Sequence, residues 1–406
     1  MINHSKNLNI IFAFFPVSFI LGNFFTNFNL ILFSVYGILY LKSKIFKIKF
    51  DFSLKIIFLF FLFVFLSTVL SFLKSSFFQE QDDMALTRLI KSALFFRFFL
   101  LLLILYVLNE LDIIDYKYFF VSAAIFSVLI SADLVFQYIF GFNIIGLESY
   151  VHHNTSFFGD ELIAGGYVQN FAFFSIFFFI YKFGNSENFF KYILISFLIA
   201  LLSLAIMISG NRMPVILFLL GIFLIYVFNK KLKKIALINV LIFFTVLGTL
   251  ISNDNYWKIS YKSFFQNIYS TVTYLYERTK ADKTETLSKE RQLLKDDKVE
   301  LAGYSIIFST ALETWKLHKV FGNGIKSFRV DCAKIIRIQK RGTCSNHPHN
   351  YYIEILSDLG IVGFVIVLII ASMFLFFLYK NYKFFEKNNL QSLFLLAATI
   401  SLFLEV

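Results

Sequence analysis

Charge is what this sequence has least of. Only 16% of its 406 residues are Asp, Glu, Lys or Arg, against roughly a quarter in a soluble domain, and that shortage excludes an ordinary water-soluble fold. Also missing are the alternating and 3.6-residue stripes of half-buried strands and surface helices. The apolar residues, 58% of the chain, come instead in runs such as 56–73, IIFLFFLFVFLSTVLSFL. The chain opens without a basic segment, and no small-residue cleavage site follows its first apolar run, which argues against a cleavable signal peptide. No internal repeat is visible. Cysteine is nearly absent: Cys332 and Cys344 are the only two, at a spacing that is not that of a zinc ribbon. If their segment lies on the oxidising side of a membrane, a disulfide is the better-supported use and a metal site the poorer one.

What is present is a series of runs of about 18 residues or more, long enough to cross a hydrocarbon core as helices. Runs that are apolar all round must face lipid or one another. The expectation is an all-α polytopic membrane protein of about eleven spans, over 8–22, 24–41, 53–73, 92–108, 117–140, 166–182, 189–208, 212–228, 235–251, 358–379 and 390–406. The organisation that follows is nine helices in 1–251, a large loop domain over 252–357 and two C-terminal helices in 358–406. The last run reaches Val406 with no closing loop, so either the final helix ends there or the sequence is a fragment.

A formal charge of +12 would suit nucleic acid, but the basic residues are spread over short loops and one long polar segment. That distribution reports membrane orientation and an anionic ligand rather than a nucleic-acid partner. Counting short loops alternately, one set holds Lys42, Lys44, Lys47 and Lys49, Lys182 and Lys191, Lys230, Lys231, Lys233 and Lys234, and Lys380, Lys383 and Lys387. The other set has 23–29 and 141–165 without Lys or Arg, and 74–91 where Lys74, Arg88 and Lys91 are offset by Glu80, Asp82 and Asp83. Cytoplasmic loops retain the lysines, so the N-terminus is expected inside and 252–357 outside. Within that segment 256–276 suits an interfacial helix, 280–300 reads as a solvated charged stretch, and 302–319 as a helix ending at Gly322 and Gly324.

Four polar constellations fall on the outer side. The first is His347-Pro348-His349-Asn350. A histidine there can take a proton from a sugar hydroxyl near neutral pH; the plainer reading is a helix cap with Asn350 as N-cap. The second is Ser209-Gly210-Asn211-Arg212, where Arg212 at a helix start suits a phosphate or simply anchors the membrane surface. The third, Gly322-Asn323-Gly324 leading to Arg329, combines glycines that permit close backbone approach with a second phosphate fork. The fourth is Phe158-Gly159-Asp160-Glu161, whose carboxylates either position a ligand or satisfy a helix dipole. His152 and His153 lie nearby, but no recognised metal-ligand spacing appears.

The combination resembles the bacterial O-antigen ligase and O-antigen polymerase superfamily of membrane glycosyltransferases. The resemblance rests on His349-Asn350, nine residues, Gly360, two residues and Gly363, on Gly322-Asn323-Gly324 through Arg329, on the SGNR at 209–212 and on the FGDE at 158–161. It covers roughly 150–380, and Met213-Pro214 departs from the small residues usual after the arginine. It implies a GT-C-like membrane fold with a mostly helical periplasmic domain in the bacterial inner membrane. It also implies an undecaprenyl-diphosphate-linked glycan donor, no nucleotide sugar, no cofactor and no obligatory metal.

On that footing His349 is the expected general base on the acceptor, with His347 orienting it, and Arg212 and Arg329 hold the diphosphate. Asp160, Glu161, Gly322, Gly324 and Asn350 support the site. The acceptor is a glycan, either lipid A core for a ligase or a second lipid-linked repeat for a polymerase; a protein hydroxyl is a third option. The rival of another class is a lipid-linked oligosaccharide transporter or flippase. Transporters carry ionisable residues near the midplane, and here Asp133 and Arg97 are the few charges within spans.

Overall fold

Once water is excluded, apolar runs satisfy their backbone polar groups internally only as helices or closed barrels. The computed structural model describes residues 4–47, 49–77, 84–149, 153–183, 189–228, 233–280, 303–339, 344–381, 383–384 and 389–404. No strand forms among them beyond isolated bridges such as Phe142–Glu148. The helices are α1 (His4–Ala13), α2 (Phe15–Ile20), α3 (Asn23–Leu41), α4 (Phe52–Phe77), α5 (Ala85–Glu110), α6 (Tyr116–Phe140), α7 (Ala164–Phe183) and α8 (Phe189–Ile208). They continue as α9 (Arg212–Phe228), α10 (Lys233–Asn253), α11 (Asn255–Lys280), α12 (Gly303–Trp315), α13 (Phe328–Gln339), α14 (Tyr351–Lys380) and α15 (Leu390–Leu404).

Among the described residues six segments are long and apolar enough to cross a membrane: Asn23–Ile45, Phe52–Phe77, Ala85–Glu110, Tyr116–Phe140, Ala164–Lys182 and Tyr351–Lys380. A pair bent by 116°, Leu237–Asn253 with Asn255–Gln266, would make a seventh, and Ile193–Ile208, Arg212–Val227 and Gln391–Ser401 are shorter apolar helices. The chain is a multi-pass membrane protein, and the expected count of eleven spans is not confirmed among the described residues. The first run, expected as one helix over 8–22, is divided. It breaks at Phe14, and α2 carries Pro16 in its first turn, where a missing N–H is tolerated.

The helices form two compact units, Met1–Ile48 with Leu101–Lys258 and Leu378–Glu405, and Lys49–Leu100 with Ile259–Phe377. In the first, α6, α7 and α8 pack together with α1, α9, α10 and α15. Its core is phenylalanine set edge to face or tilted: Phe119 meets Phe12 at 5.0 Å, Phe174 at 5.1 Å and Phe394 at 5.3 Å between ring centroids. Such arrangements match the positive ring edge to a negative face. Small residues close the gaps. Ser127 and Ser175 share a hydrogen bond of 2.5 Å between α6 and α7, the polar glue expected where lipid supplies no hydrophobic drive. The second unit holds α4, most of α5, α12, α13 and most of α14. The apolar stretch of α14 has a mean hydropathy of 3.1 with only 17% of it buried, so its outward face suits lipid.

Candidate active site

In the second unit the His347–Asn350 segment stands directly on α14. Asn350 starts that helix: its Oδ1 accepts the Ile353 N–H at 3.0 Å and its carbonyl accepts the Glu354 N–H at 2.9 Å, satisfying donors that a helix start otherwise leaves orphaned. Asn350 is thus a cap, the plainer of its two expected roles. The histidines just before it are not absorbed in the cap. Pro348 is buried beneath them while both imidazoles stay exposed, with ring centroids 4.2 Å apart. His349 sits at φ +57°, a left-handed conformation that non-glycine residues hold only where their surroundings enforce it. One enforcing contact is the His349 backbone N–H donating to His347 Nδ1 at 3.2 Å. That contact makes Nδ1 an acceptor, so a neutral His347 carries its proton on Nε2. Partial burial first, and the neighbouring His347 second, hold the His349 imidazole below its ordinary pKa of 6.5. His347, His349, Asn350, Tyr351 and Glu354 line a cleft of about 200 Å³.

The glycine loop is fastened to the same helix. Glycine at 360, φ +66°, breaks α14, and the break frees the Asp358 carbonyl to accept the N–H groups of Asn323 and Gly324 at 3.0 Å each. Across it, Ile361 and Val362 donate to the carbonyls of Lys319 and Val320 at 2.9 and 3.1 Å. A Cβ on Gly322 would fall 2.0 Å from the Asp358 carbonyl oxygen, and one on Gly324 2.7 Å from Thr68 Cα. The close approach these glycines permit in the structure is to α14 and α4. The Asp358 carboxylate takes the N–H of Phe328 at 2.8 Å and of Lys326 at 2.5 Å, and the Ser327 hydroxyl at 3.2 Å. It thereby caps α13, whose first turn carries Arg329. Arg329 Nη2 in turn donates to the Asn346 carbonyl at 3.3 Å, next to His347. Arginine and histidine pair are thus neighbours in space.

Beneath the loop lies a residue that the loop count misplaced. Arg88 is inside α5, not in a loop, and is 2% exposed. Its Nη1 donates to the Asn323 carbonyl at 2.6 Å, Ser71 donates to Asn323 Oδ1 at 2.6 Å and Asn323 Nδ2 to Asp331 at 2.8 Å. A buried guanidinium is tolerated only when hydrogen-bonded in this way. Glu80, Asp82 and Asp83, which offset it in the loop count, lie outside the described residues, as do His152 and the charged stretch from 281 to 300.

Cys332 and Cys344 form a disulfide with Cα atoms 5.8 Å apart. Cys332 is buried with Ile307, Ala311 and Phe328 between α12 and α13, so the bridge ties that small core to the chain three residues ahead of His347. Cross-linking residues separated by 12 positions is worth about 2–3 kcal/mol. Cys344→Ser should lower the thermal midpoint of the oxidised protein to that of the wild type under reductant. Identical midpoints for variant and wild type without reductant would contradict a stabilising bridge.

The other two constellations meet in the first unit. Arg212 opens α9 and is half-buried. The turn before it, with Gly210 at φ +85°, packs on the 158–166 loop: Asn211 Nδ2 donates to the Leu162 carbonyl, and a Cβ on Gly165 would strike the Ser209 hydroxyl at 2.2 Å. Asp160 and Glu161 are exposed just ahead of α7. Asp133, fully buried, accepts the Ser156 hydroxyl at 2.5 Å and the Ile144 N–H at 2.9 Å. Its carboxylate thereby fixes the chain at Ile144 and at Ser156. Among the described residues no three His, Cys, Asp or Glu side chains come together as metal ligands.

The four sequence signals thus resolve into two pairs, one in each unit. Lys326, Glu354 and Asp358 went unremarked in the sequence. Asp358 left only one trace there, its place two residues before the glycine of the H-N-x9-G-x-x-G pattern. Residues 197–368 match the family model described as O-Antigen ligase. The matched stretch takes in Arg212, the glycine loop, Arg329, His349 and the break at Gly360, whereas Asp160 and Glu161 precede it. No curated protein matches the chain.

Proposed function

We propose that this chain, a member of the O-antigen ligase superfamily by residues 197–368, transfers a glycan from a polyprenyl diphosphate carrier to an acceptor sugar hydroxyl. The observation that carries the reading is the placement of Arg329 against the segment bearing His347 and His349, beside an open cleft. The acceptor oxygen attacks the anomeric carbon and its proton passes to a ring nitrogen of His349. The bond from that carbon to the phosphate oxygen breaks, leaving its electron pair on the diphosphate. His349 is suited to the proton because its depressed pKa keeps it neutral at pH 7. Arg329 offsets the charge on the departing diphosphate with a fork of N–H groups. His347 acts through the backbone of His349. Arg212 is assigned to the carrier's phosphate on its sequence setting, and Asp160 and Glu161 to the sugar on the same ground. The lysine distribution supports a cleft on the periplasmic side of the inner membrane. Lipid A core, a second lipid-linked repeat and a protein hydroxyl stand as acceptors to be tried in turn.

Incubated with a lipid-linked glycan and an acceptor glycan, the purified protein should form product without a nucleotide sugar. Because the base must be neutral, the rate should be flat near pH 7 and fall as pH drops through a value below 6.5. A rate that stays level down to pH 4 would remove His349 as the base.

A further inference from the structure

The loop between the glycines and α13 carries a cation that the mechanism above leaves unused. Lys326 lies at φ +60°, a conformation that β-carbon sterics disfavour and that persists only where the surroundings impose it. What imposes it is Asp358. One carboxylate oxygen takes the Lys326 N–H and the other the Phe328 N–H and the Ser327 hydroxyl, while the Asp358 main-chain carbonyl holds Asn323 and Gly324. Five hydrogen bonds from one residue thus fix the path of the chain from 323 to 328 and the start of the helix bearing Arg329.

The charges around Lys326 are mixed, two cations that share its sign and two carboxylates that oppose it. Burial, then Lys91 of α5 and Arg329, hold its ammonium below the ordinary lysine pKa of 10.5, with Glu354 and Asp358 opposing. Lys91, Lys326, Arg329 and Glu354 are all half-buried. Asp358 is already engaged with backbone N–H groups, which leaves Glu354 as the remaining carboxylate toward Lys326 and Arg329. The Nε of Arg329 is also buried and makes no hydrogen bond among the described residues. Cations drawn together out of water, with a donor left over, suit an anion larger than one carboxylate.

We propose that Lys326 is a second diphosphate-binding residue, paired with Arg329, and that Asp358 is the positioning residue that presents both. The proposal rests on the transferase reading. Arginine grips one phosphate as a planar fork, and the lysine meets the other as a point charge. A diphosphate is charged before as well as during the reaction, so Lys326 contributes mainly uniform binding, which appears in the donor KM.

The test uses the full-length protein in detergent or liposomes, with transfer kinetics against donor concentration and inorganic pyrophosphate as a competing probe. Lys326→Met should raise the donor KM and the pyrophosphate inhibition constant roughly tenfold each, with kcat within about threefold of wild type and an unchanged thermal midpoint. Lys326→Arg should recover most of both constants, which a merely structural role would not do. Asp358→Asn, if it folds, should weaken pyrophosphate at least as much as Lys326→Met, although Asp358 touches no donor. Wild-type values for Lys326→Met alongside weakened pyrophosphate inhibition in Arg329→Ala would overturn the proposal and leave the transferase reading standing. Full transfer by both Arg329→Ala and His349→Ala would instead overturn the reading on which it rests.

Discussion

Replacing His349 with alanine should lower transfer by about 10²–10⁴-fold, the range that a positioned general base supplies, while the protein still inserts and folds. The imidazole is exposed on the cleft, so its loss opens no core cavity. The helix it precedes keeps its cap on Asn350. Alanine at φ +57° costs about 1–2 kcal/mol, but His349 already occupies that conformation, so the change in strain is small. His347→Ala should be milder, about tenfold, because His347 fixes the turn through the His349 N–H and receives no proton itself. The measurement is initial rate at saturating donor, with membrane yield and thermal midpoint recorded for each variant. Transfer by His349→Ala within threefold of wild type would remove the base from this position.

Replacing Gly322 with alanine should abolish activity by another route, through the fold of the second unit. Two costs coincide there. At φ +70° an L side chain loses about 1–2 kcal/mol. The new Cβ would also lie 2.0 Å from the Asp358 carbonyl oxygen and 2.5 Å from Leu359 Cα, atoms of a helix backbone that cannot rotate aside. The carbonyl being struck also accepts the N–H groups of Asn323 and Gly324, so relief of the clash breaks those bonds. A loss above 3 kcal/mol is expected, in the class of severe backbone effects. Gly141→Ala is the matched control: φ is +81° but nothing lies within 4 Å of a Cβ there, so only the conformational cost applies. Thermal unfolding of both in the same detergent separates the terms. A Gly322→Ala midpoint equal to that of Gly141→Ala would show that the loop is not held against α14.

Most helices are legible in the amino-acid order alone, because a continuous apolar run in lipid has no other way to satisfy its peptide groups. The runs at 189–208 and 212–228 are the helices observed, and those at 53–73, 117–140 and 166–182 grew by a few residues at their ends. Legibility fails where polarity and helix part company. α14 begins at Tyr351 rather than 358 because Asn350 caps a polar first turn, and α5 begins at Ala85 because Arg88 finds partners in a distant loop. The first run departs in another way, being apolar throughout but divided at Phe14 ahead of Pro16.

The site divides along the same line. Sequence by itself determined that this is a multi-pass membrane protein, and it carries the pattern from His349 to Gly363 on which the resemblance to O-antigen ligases rests. Those are properties of composition and spacing, carried by neighbours along the chain. Only the tertiary structure decided what that pattern touches. His349 precedes the cap of a helix, Asp358 and Gly360 form a break two and a half turns later, and the break takes hold of a loop some thirty residues upstream in sequence. Hydrogen bonds between residues 326 and 358, or 88 and 323, leave no periodicity and no local propensity behind, because each partner alone is an unremarkable polar residue. Scarcity of charge made the membrane legible from composition. Where the few charges meet was settled by packing.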